Sequence, residues 1–304
     1  MFSASSRKRH NSGHCCVLPY VPETRGPGVN DLAGRVVLIT GSTDGMGKLT
    51  AKHVASRGAT VLLHGRDGAK GREVLLQIRE ETKSDNVRYY NADLSSLAEV
   101  RAMADEVLSR EKALHLLINN AGIGGGPRGG NNRELSRDGF ELRFAVNYLS
   151  HFLLTYRLLP IIRAAAPSRI INVSSIGQHP IDFNDLMLEK HYDSYRAYRQ
   201  SKLAQIMFTI DLAGELSDAG VVVNCLHPAT LMNTNMVFEF FGKTMTTVED
   251  GADALEYVAL AEETAGESGV YFDGRRRSRA IEQAYDPAAR RRLRELSRTL
   301  TGLS

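Results

Sequence analysis

The sequence has little of three features that mark specialised classes of protein. It holds three cysteines, Cys15, Cys16 and Cys225, which are too few for a disulfide framework and favour a reducing compartment such as the cytoplasm. No apolar run approaches the roughly 18 to 20 residues that span a bilayer. The formal net charge is only +3, which by itself does not indicate a nucleic-acid partner. We therefore expect a cytoplasmic protein with no membrane span, no nucleic-acid partner and no metal site.

The first 30 residues differ in composition from the rest of the chain. They are rich in Ser, Arg, Gly and Pro, and no acidic residue precedes Glu23. A transit peptide, a disordered tail or a misassigned start codon could each have this composition, whereas a secretory signal would have an apolar core. We expect residues 1–30 to be a disordered basic tail and residues 31–304 to be one folded domain.

From Asp31 onward, short apolar runs alternate with longer helical patterns. The strand-like runs cover residues 35–40, 60–63, 87–90, 114–118, 169–173, 221–226 and 270–272. The helical patterns cover residues 46–57, 69–82, 97–110, 139–159 (ending near Pro160), 195–216 and 248–260. This alternation predicts an α/β fold, a single doubly wound, Rossmann-type domain with a mainly parallel sheet of about seven strands. Because such sheets bind ligands beyond the carboxyl ends of their strands, functional residues should follow the strand-like runs.

A glycine-rich turn, TGSTDGMG at residues 40–47, follows the first strand and opens the first helix. Glycines let a phosphate approach the backbone, and a helix N-terminus offers free N–H groups. The turn predicts cofactor contacts at Gly41, Ser42, Thr43, Gly45, Met46 and Gly47. A literal G-x-G-x-x-G occurs instead at Gly124, Gly126 and Gly129, but no helix follows it directly, so we interpret it as a surface loop.

The end of the second strand indicates which dinucleotide would bind. A carboxylate about 20 residues beyond the glycine turn would hold the ribose hydroxyls of NAD. This sequence has Gly65 and Arg66 there, followed by Asp67. A guanidinium suits the 2′-phosphate of NADP, so we expect NADP(H), with NAD(H) as the less favoured cofactor.

Polar residues at four positions, one of them a pair of serines, form a candidate catalytic group. Tyr198 and Lys202 are four residues apart in a helical segment, so their side chains share one face. A phenol has a pKa of roughly 10, and an adjacent ammonium favours its ionised form. Ser174 and Ser175 follow a strand-like run, and Asn147 interrupts an apolar helix, where a buried amide needs a partner.

Together these residues resemble the short-chain dehydrogenase/reductase family over nearly all of residues 31–304. The motifs occur in order: the glycine turn, Asp93-Leu94, Asn119-Asn120-Ala121-Gly122, Asn147, Ser174-Ser175, Tyr198-x-x-x-Lys202 and His227-Pro228. The long interval between Ser175 and Tyr198 resembles the retinol dehydrogenase and WW-domain oxidoreductase branch.

The resemblance implies a role for each catalytic residue. Ser175, rather than Ser174, would polarise the carbonyl or alcohol oxygen, and Tyr198 would exchange its proton. Lys202 would hold the ribose and lower the pKa of Tyr198. Asn147 would anchor a water next to Lys202.

The resemblance also implies the remaining cofactor contacts. Asp93 would contact adenine, while Asn119 and Gly122 would line the cleft. The full set of predicted cofactor contacts includes these residues and the glycine turn, together with Arg66, Leu94, Ala121, Tyr198, Lys202 and Pro228. The sequence departs from the family where Ala229 replaces a usual Gly and where the following Thr is shifted, with Thr230 and Thr234 as candidates. The hydrophobic N-terminal anchor found in many retinol dehydrogenases does not occur at residues 1–30, which argues against a membrane location and a retinoid substrate.

The resulting hypothesis is an NADP(H)-dependent oxidoreductase that interconverts a carbonyl and an alcohol on an apolar small molecule. An apolar cluster after Pro228 predicts a mobile lid over the substrate, formed by Leu231, Met232, Met236, Val237, Phe238, Phe240 and Phe241. Family members are often homodimers or homotetramers. The alternatives are a non-catalytic NADP(H) sensor, a serine hydrolase (for which Ser175 lacks a Gly-x-Ser-x-Gly elbow) and a Cys225–His227 thiol nucleophile, whose position at a strand end favours a structural role.

Overall fold

The computed structural model describes residue 1, residues 31–125 and residues 132–303. The predicted tail, apart from Met1, and the glycines Gly126 and Gly129 of the literal glycine pattern lie outside this part. Its strands are β1 (Val36–Ile39), β2 (Thr60–Gly65), β3 (Val87–Asn91), β4 (Leu116–Asn119), β5 (Ser168–Val173), β6 (Val221–His227), β7 (Tyr271–Asp273) and β8 (Arg276–Ser278).

These strands form one sheet in the order β3-β2-β1-β4-β5-β6-β7-β8. All neighbours run parallel except β7 and β8, which are antiparallel. The chain order reverses between β1 and β4, which creates the crevice where doubly wound folds bind ligands. The predicted fold class is therefore confirmed.

The eighth strand was not part of the sequence-based prediction of about seven strands. β8 is exposed and Arg-rich, so it lacks the apolar pattern of a buried strand. It forms because Gly274, at φ 58°, turns the chain back so that Arg276 pairs with Asp273. A short edge strand of charged residues also limits pairing with other chains.

Helices cover both faces of the sheet. Their bounds are α1 (Gly45–Ser56), α2 (Gly68–Thr82), α3 (Leu97–Arg110), α4 (Leu142–Phe144), α5 (Ser150–Ala164), α6 (Ser194–Glu215), α7 (Asn235–Phe241), α8 (Val248–Leu260) and α9 (Pro287–Thr301), and a π-helical turn (Ala145–Leu149) joins α4 to α5. One core lies under α3, α5, α6 and α9, and a second lies under α1, α2 and α8. Within the described ranges, no helix is long and apolar enough to cross a membrane.

The prediction that a helix ends near Pro160 is wrong, because α5 continues to Ala164 with Pro160 inside it. Proline removes one backbone donor and destabilises a helix interior by about 3 kcal/mol. Pro160 is exposed, however, while its neighbours Leu159 and Ile162 are buried in the core. Burial of that face holds the helix together across the proline.

Candidate active site

A cavity of about 1070 Å³ opens at the carboxyl edge of the sheet. The glycine turn, the ends of several strands, α6 and the segment after β6 line it. The predicted site residues on its wall are Gly41, Thr43, Gly45, Met46, Gly47, Arg66, Asp93, Leu94, Ala121, Gly122, Ser175, Tyr198, Lys202 and Pro228. Residues from distant parts of the sequence therefore meet on one surface, as the parallel sheet requires.

The glycine turn has the close backbone approaches that a phosphate cradle needs. Gly41 has φ 64°, and a Cβ built on it would lie 2.8 Å from the Cα of Ala121. A Cβ on Gly47 would lie 2.5 Å from the carbonyl oxygen of Gly41. Asp44 caps α1 by accepting from the Gly45 N–H. Larger side chains would close this cradle, so its bare backbone fits a dinucleotide whose phosphates lie at the start of α1.

Two predicted contacts lie beneath the cavity and do not line it. Asn119 is fully buried, and its Nδ2 donates to Thr155 and to Asn172 at 3.0 and 2.8 Å. The expectation that Asn119 lines the cleft is therefore not met by its side chain. Its neighbour Asn120 lines the cleft instead and donates from Nδ2 to the carbonyl oxygens of Thr40 and Gly41. Side chains alternate between faces along an extended chain, so the next residue points to the cleft.

Ser42 is likewise buried and acts within the turn. Its Oγ donates to the carbonyl oxygen of Ile39 and accepts from the backbone N–H of His64. His64 accepts from the Gly41 N–H through Nδ1 at 3.0 Å, while its Nε2 lies 3.1 Å from the carbonyl oxygen of Ala92. Burial lowers the pKa of His64 to about 4, so the ring is neutral and can accept this bond. The pair holds the turn against β2.

Arg66 and Asp93, two of the predicted cofactor contacts, line the cavity just after β2 and β3. Arg66 is exposed, and no ion pair joins it to another residue in the part of the chain that the structure describes. Asp93 accepts from the Ser95 N–H, and Arg137 lies 3.4 Å away. A Cβ on Gly65 would lie 2.7 Å from the Cγ2 of Thr43, so a neighbouring side chain already fills the space beside this glycine.

Ser175, Tyr198 and Lys202, which we call the catalytic wall, meet elsewhere along the cavity. Ser175 hydrogen-bonds the phenol of Tyr198, and the ammonium of Lys202 lies 5.7 Å from the centre of the Tyr198 ring. Ser174 is turned away, since its hydroxyl donates to the backbone carbonyl of Lys202. Of the two serines, only Ser175 is placed to act with Tyr198.

Burial dominates the protonation of the catalytic wall. It raises the pKa of Tyr198, an effect that the hydrogen bond from Ser175 opposes, and it lowers the pKa of Lys202 to about 7. Both shifts favour the neutral forms, whereas sequence reasoning counted only the attraction between ammonium and phenolate. Desolvation is the missing contribution, because a buried charge loses its water.

Asn147 lies fully buried in the π-helical turn and ties three segments together. Its Oδ1 accepts from the Ile123 N–H at 2.8 Å, and its Nδ2 donates to the Ile123 carbonyl and to the Ser201 hydroxyl. The amide implied to anchor a water thus also fixes the loop of Gly122 and Ile123 against α6. π-Helical turns are frequent at functional sites, in keeping with this position.

The segment Leu231–Gly242, which we call the lid, lies along the cavity and contains α7. Its inner side contributes Leu231, Met232, Met236 and Val237 to the lining, together with Thr234, Asn235 and Glu239. Phe238 is 63% exposed and Met236 is 37% exposed, so this helix buries only part of its apolar surface. Leu231 and Gly242 both have positive φ, at 51° and 68°. The predicted lid therefore has the expected place, and its mobility stays a prediction.

Cys225 and His227 do not form a nucleophilic pair. Cys225 is fully buried, and burial raises the pKa of its thiol to about 12. His227 lies with its Nε2 at 3.1 Å from the Thr230 hydroxyl. A thiol that keeps its proton in the core is a packing residue, as the strand-end position indicated.

Four polar residues to which the sequence analysis gave no role also belong to the site: His64 and Asn120 line the cavity, and the buried His151 and Gln205 lie outside its lining. A signal for two of them was present in the helical spacing. His151 lies four residues after Asn147, and Gln205 lies three residues after Lys202. Such neighbours share a helix face with a motif residue, so polar types there indicate a common network.

Comparisons with known proteins identify the same family that the sequence motifs resemble. A model of the short chain dehydrogenase family matches residues 35–243. Human retinol dehydrogenase 12 is 39% identical over 282 residues, covering 90% of this chain and 88% of the relative. Mouse retinol dehydrogenase 13 is 39% identical over 302 residues, covering 94% and 89%.

Solved structures share the fold as well as the sequence. An uncharacterised protein from Mycobacterium paratuberculosis has a TM-score of 0.72 and 30% identity, covering 91% of this chain and 98% of its own. A short chain dehydrogenase from Escherichia coli CFT073, solved with NADPH, has a TM-score of 0.67 and 26% identity, covering 81% and 99%. This chain therefore belongs to the short-chain dehydrogenase/reductase family of oxidoreductases, in the branch of the retinol dehydrogenases.

Proposed function

We propose that this protein is an NADP(H)-dependent oxidoreductase that interconverts a carbonyl and an alcohol on an apolar small molecule. The observation that carries the proposal is one cavity that joins Arg66 at one end to Ser175, Tyr198 and Lys202 at the other. A dinucleotide held along the glycine turn would reach from the first group to the second.

Each residue of the catalytic wall has its own role in the proposed reaction. The nicotinamide, when bound, supplies the hydride to the carbonyl carbon or accepts it from the alcohol carbon. In reduction, the Tyr198 phenol donates its proton to the carbonyl oxygen, which the Ser175 hydroxyl holds by a hydrogen bond. In oxidation, Tyr198 takes the proton back. Protonated Lys202 binds the ribose and favours the ionised phenol, which offsets the opposing effect of burial on Tyr198.

The choice of NADP(H) over NAD(H) rests on Arg66. Its exposed guanidinium lies at the end of β2 on the cavity wall, and the position before it has no carboxylate. A guanidinium offers several donors to a phosphate, whereas the ribose of NAD would need an acceptor there.

The choice of an apolar substrate rests on the side chains around the catalytic wall. Near it the cavity is lined by Ile176, Leu142, Val146, Leu231, Met236 and Val237. The relatives are named for retinol, an apolar alcohol. We propose an aliphatic or aromatic aldehyde, ketone or alcohol of comparable polarity.

We extend the proposal to location and assembly. Cys225 is a free thiol in the described part of the chain, which suits the reducing cytoplasm. A homodimer or homotetramer is the assembly implied by the family. Cell fractionation and light scattering after size-exclusion chromatography test these two statements.

A panel of carbonyl and alcohol substrates followed by NADPH absorbance at fixed protein concentration tests the function. We expect turnover of apolar aldehydes with NADPH, and much slower turnover with NADH. Tight NADPH binding without turnover of any panel member would overturn the proposal in favour of a sensor. Equal use of NADH would overturn only the cofactor assignment.

A further inference from the structure

Lys202 is held from beneath by two acceptors. Its Nζ donates to the carbonyl oxygen of Val173 and to the Oε1 of Gln205, each at 2.9 Å. An ammonium has three N–H donors, so one remains. A Cβ built on Gly122 would lie 3.5 Å from this Nζ, so Gly122 leaves the space on the cavity side open. The two acceptors thereby set the direction in which the third donor points.

Gln205 is itself confined by a buried histidine. Its Nε2 lies 3.4 Å from the Nδ1 of His151, whose Nε2 lies 3.1 Å from the Thr40 hydroxyl. The Thr40 oxygen already accepts from the backbone N–H groups of Asn120 and Ala121. With both lone pairs used, the Thr40 oxygen cannot accept from the histidine. Its hydroxyl therefore donates, and Nε2 of His151 at 3.1 Å is a closer acceptor than the carbonyl oxygen of Ile118 at 3.4 Å.

The tautomer of His151 follows from this count. Since Nε2 accepts, Nδ1 carries the proton and donates to the carbonyl oxygen of Asn147 at 3.0 Å. Burial lowers the pKa of His151 to about 3, so the ring stays neutral. Nδ1 is then no acceptor for Gln205, and the histidine acts as a fixed wall against which the amide packs.

The charged and titratable groups that face Lys202 come from three elements: Tyr198 on α6, His151 on α5 and His227 on β6. Burial lowers the pKa of both histidines. In the described ranges, no carboxylate forms an ion pair with Lys202, whose lowered pKa has burial as its cause. The Gln205 amide is therefore the side-chain acceptor that offsets the burial of the ammonium.

We infer that Gln205 is a positioning residue for Lys202: its amide oxygen, confined beside His151, fixes where the ammonium points and keeps it protonated. This inference rests on the proposed function, in which protonated Lys202 binds the cofactor ribose. The backbone acceptor Val173 alone would leave a side chain with four rotatable bonds free to turn.

Two substitutions test it with opposite expected results. Gln205→Met keeps the volume and removes the acceptor, so the Lys202 pKa falls. Gln205→Glu supplies a carboxylate, so the Lys202 pKa rises. The affinity for NADPH, measured by fluorescence titration across pH, should decline at a pH about one unit lower in the Met variant and about one unit higher in the Glu variant. The alkaline limb of kcat/KM in the reduction direction should move the same way.

Gln200→Met is the matched control, because Gln200 is an equally buried glutamine of α6 whose bonds go to Asp182 and Leu186. It should leave both pH midpoints at their wild-type positions while lowering the melting temperature to a similar extent.

The binding titration needs no turnover, so it decides the inference even if the proposed reaction fails. Unmoved midpoints in both Gln205 variants, or the same shift in Gln200→Met, would overturn the inference and leave Gln205 as a packing residue. If the Met variant does not fold, an upward shift in Gln205→Glu supports it and an unmoved midpoint overturns it.

Discussion

The catalytic wall and the lid face each other across one cavity but are built in different ways. Lys202 is 5% exposed and bonded to two acceptors, and Tyr198 bonds Ser175. The lid exposes 63% of Phe238 and is bounded by Leu231 and Gly242 in left-handed conformations. Proton and hydride transfer need atoms held within a few tenths of an ångström, and the packing of the catalytic wall suits the role proposed for it. Recognition of the proposed apolar substrate would need contact area rather than a fixed direction, which a less tightly packed segment can supply.

The contrast between the catalytic wall and the lid depends first on Tyr198 being the group that exchanges the proton. Tyr198→Phe removes one hydroxyl and should lower kcat by about 10²- to 10⁴-fold, the usual contribution of a general acid. The ring remains, so the NADPH dissociation constant and the melting temperature should stay near wild type. Tyr156→Phe is the control, since its hydroxyl bonds Glu215 away from the cavity. Near-normal turnover in Tyr198→Phe would sink the mechanism.

Lys202→Met tests the two roles proposed for this residue in the catalytic wall, cofactor binding and support of the Tyr198 phenol. Lys202 is assigned to both the ribose and the phenol, so kcat/KM and NADPH affinity should fall together, each by about 10- to 100-fold. Steady-state kinetics and fluorescence titration measure the two effects. Lys112→Met, at an exposed site outside the cavity lining, should change neither. Unchanged NADPH affinity in Lys202→Met would limit Lys202 to the chemistry.

Arg66→Ala tests the proposed preference for NADPH at the part of the cavity next to β2. NADPH binding should weaken about tenfold, near the low end for a charge-assisted bond because the guanidinium is exposed, and NADH binding should not change. Arg66 is changed alone because a side chain added at Gly65 would collide with Thr43 and disturb the turn. Arg291→Ala, on the exposed face of α9, is the matched control. Equal wild-type affinity for NADH and NADPH would make Arg66 a surface residue.

Met236→Ala tests whether the lid selects apolar substrates. Met236 lines the cavity, and its loss should raise KM for long apolar aldehydes by about three- to tenfold with little change in kcat. Short aldehydes should be affected less. Met245→Ala removes a methionine that is exposed outside the cavity lining, and it should have no effect on KM. A uniform fall in kcat for all substrates would show that the lid acts on the chemistry.

Hydrogen exchange tests the mobility that the comparison assumes. Peptides from residues 231–242 should gain protection when NADPH and substrate bind, because closure would order a segment with few buried contacts. Peptides from α6 should change little, since that helix is already packed. Equal protection of the lid with and without ligands would identify it as an ordinary packed helix.

Local sequence patterns were sufficient to predict helix bounds and the glycine turn, because the backbone or the core accepts only certain residue types there. The bounds of α3 and α8 agree with the predicted ranges 97–110 and 248–260, because apolar spacing and capping residues both mark them. The glycine turn was equally readable, since its glycines at 41 and 47 have no room for a side chain.

Sequence patterns gave wrong predictions where contacts with residues distant in sequence decide whether a helix continues or a side chain is buried. The sequence pattern predicts a helix end at Pro160, but the core beneath Leu159 and Ile162 holds α5 together. The family resemblance places Asn119 at the cleft, yet its side chain bonds Thr155 and Asn172 in the interior. Neither effect is encoded in the neighbouring residues.

The fold class could be predicted from the sequence because apolar periodicity is a local property of the chain, and the family could be predicted from the motifs and their order. The family resemblance already favoured Ser175 over Ser174, and the hydrogen bond between Ser175 and Tyr198 agrees with it. The tertiary structure was needed to show that burial governs the protonation of Lys202. It also decided that Gln205 and His151 lie beneath Lys202. These outcomes depend on desolvation and on hydrogen bonds between distant segments, which exist only once the sheet has brought the segments together.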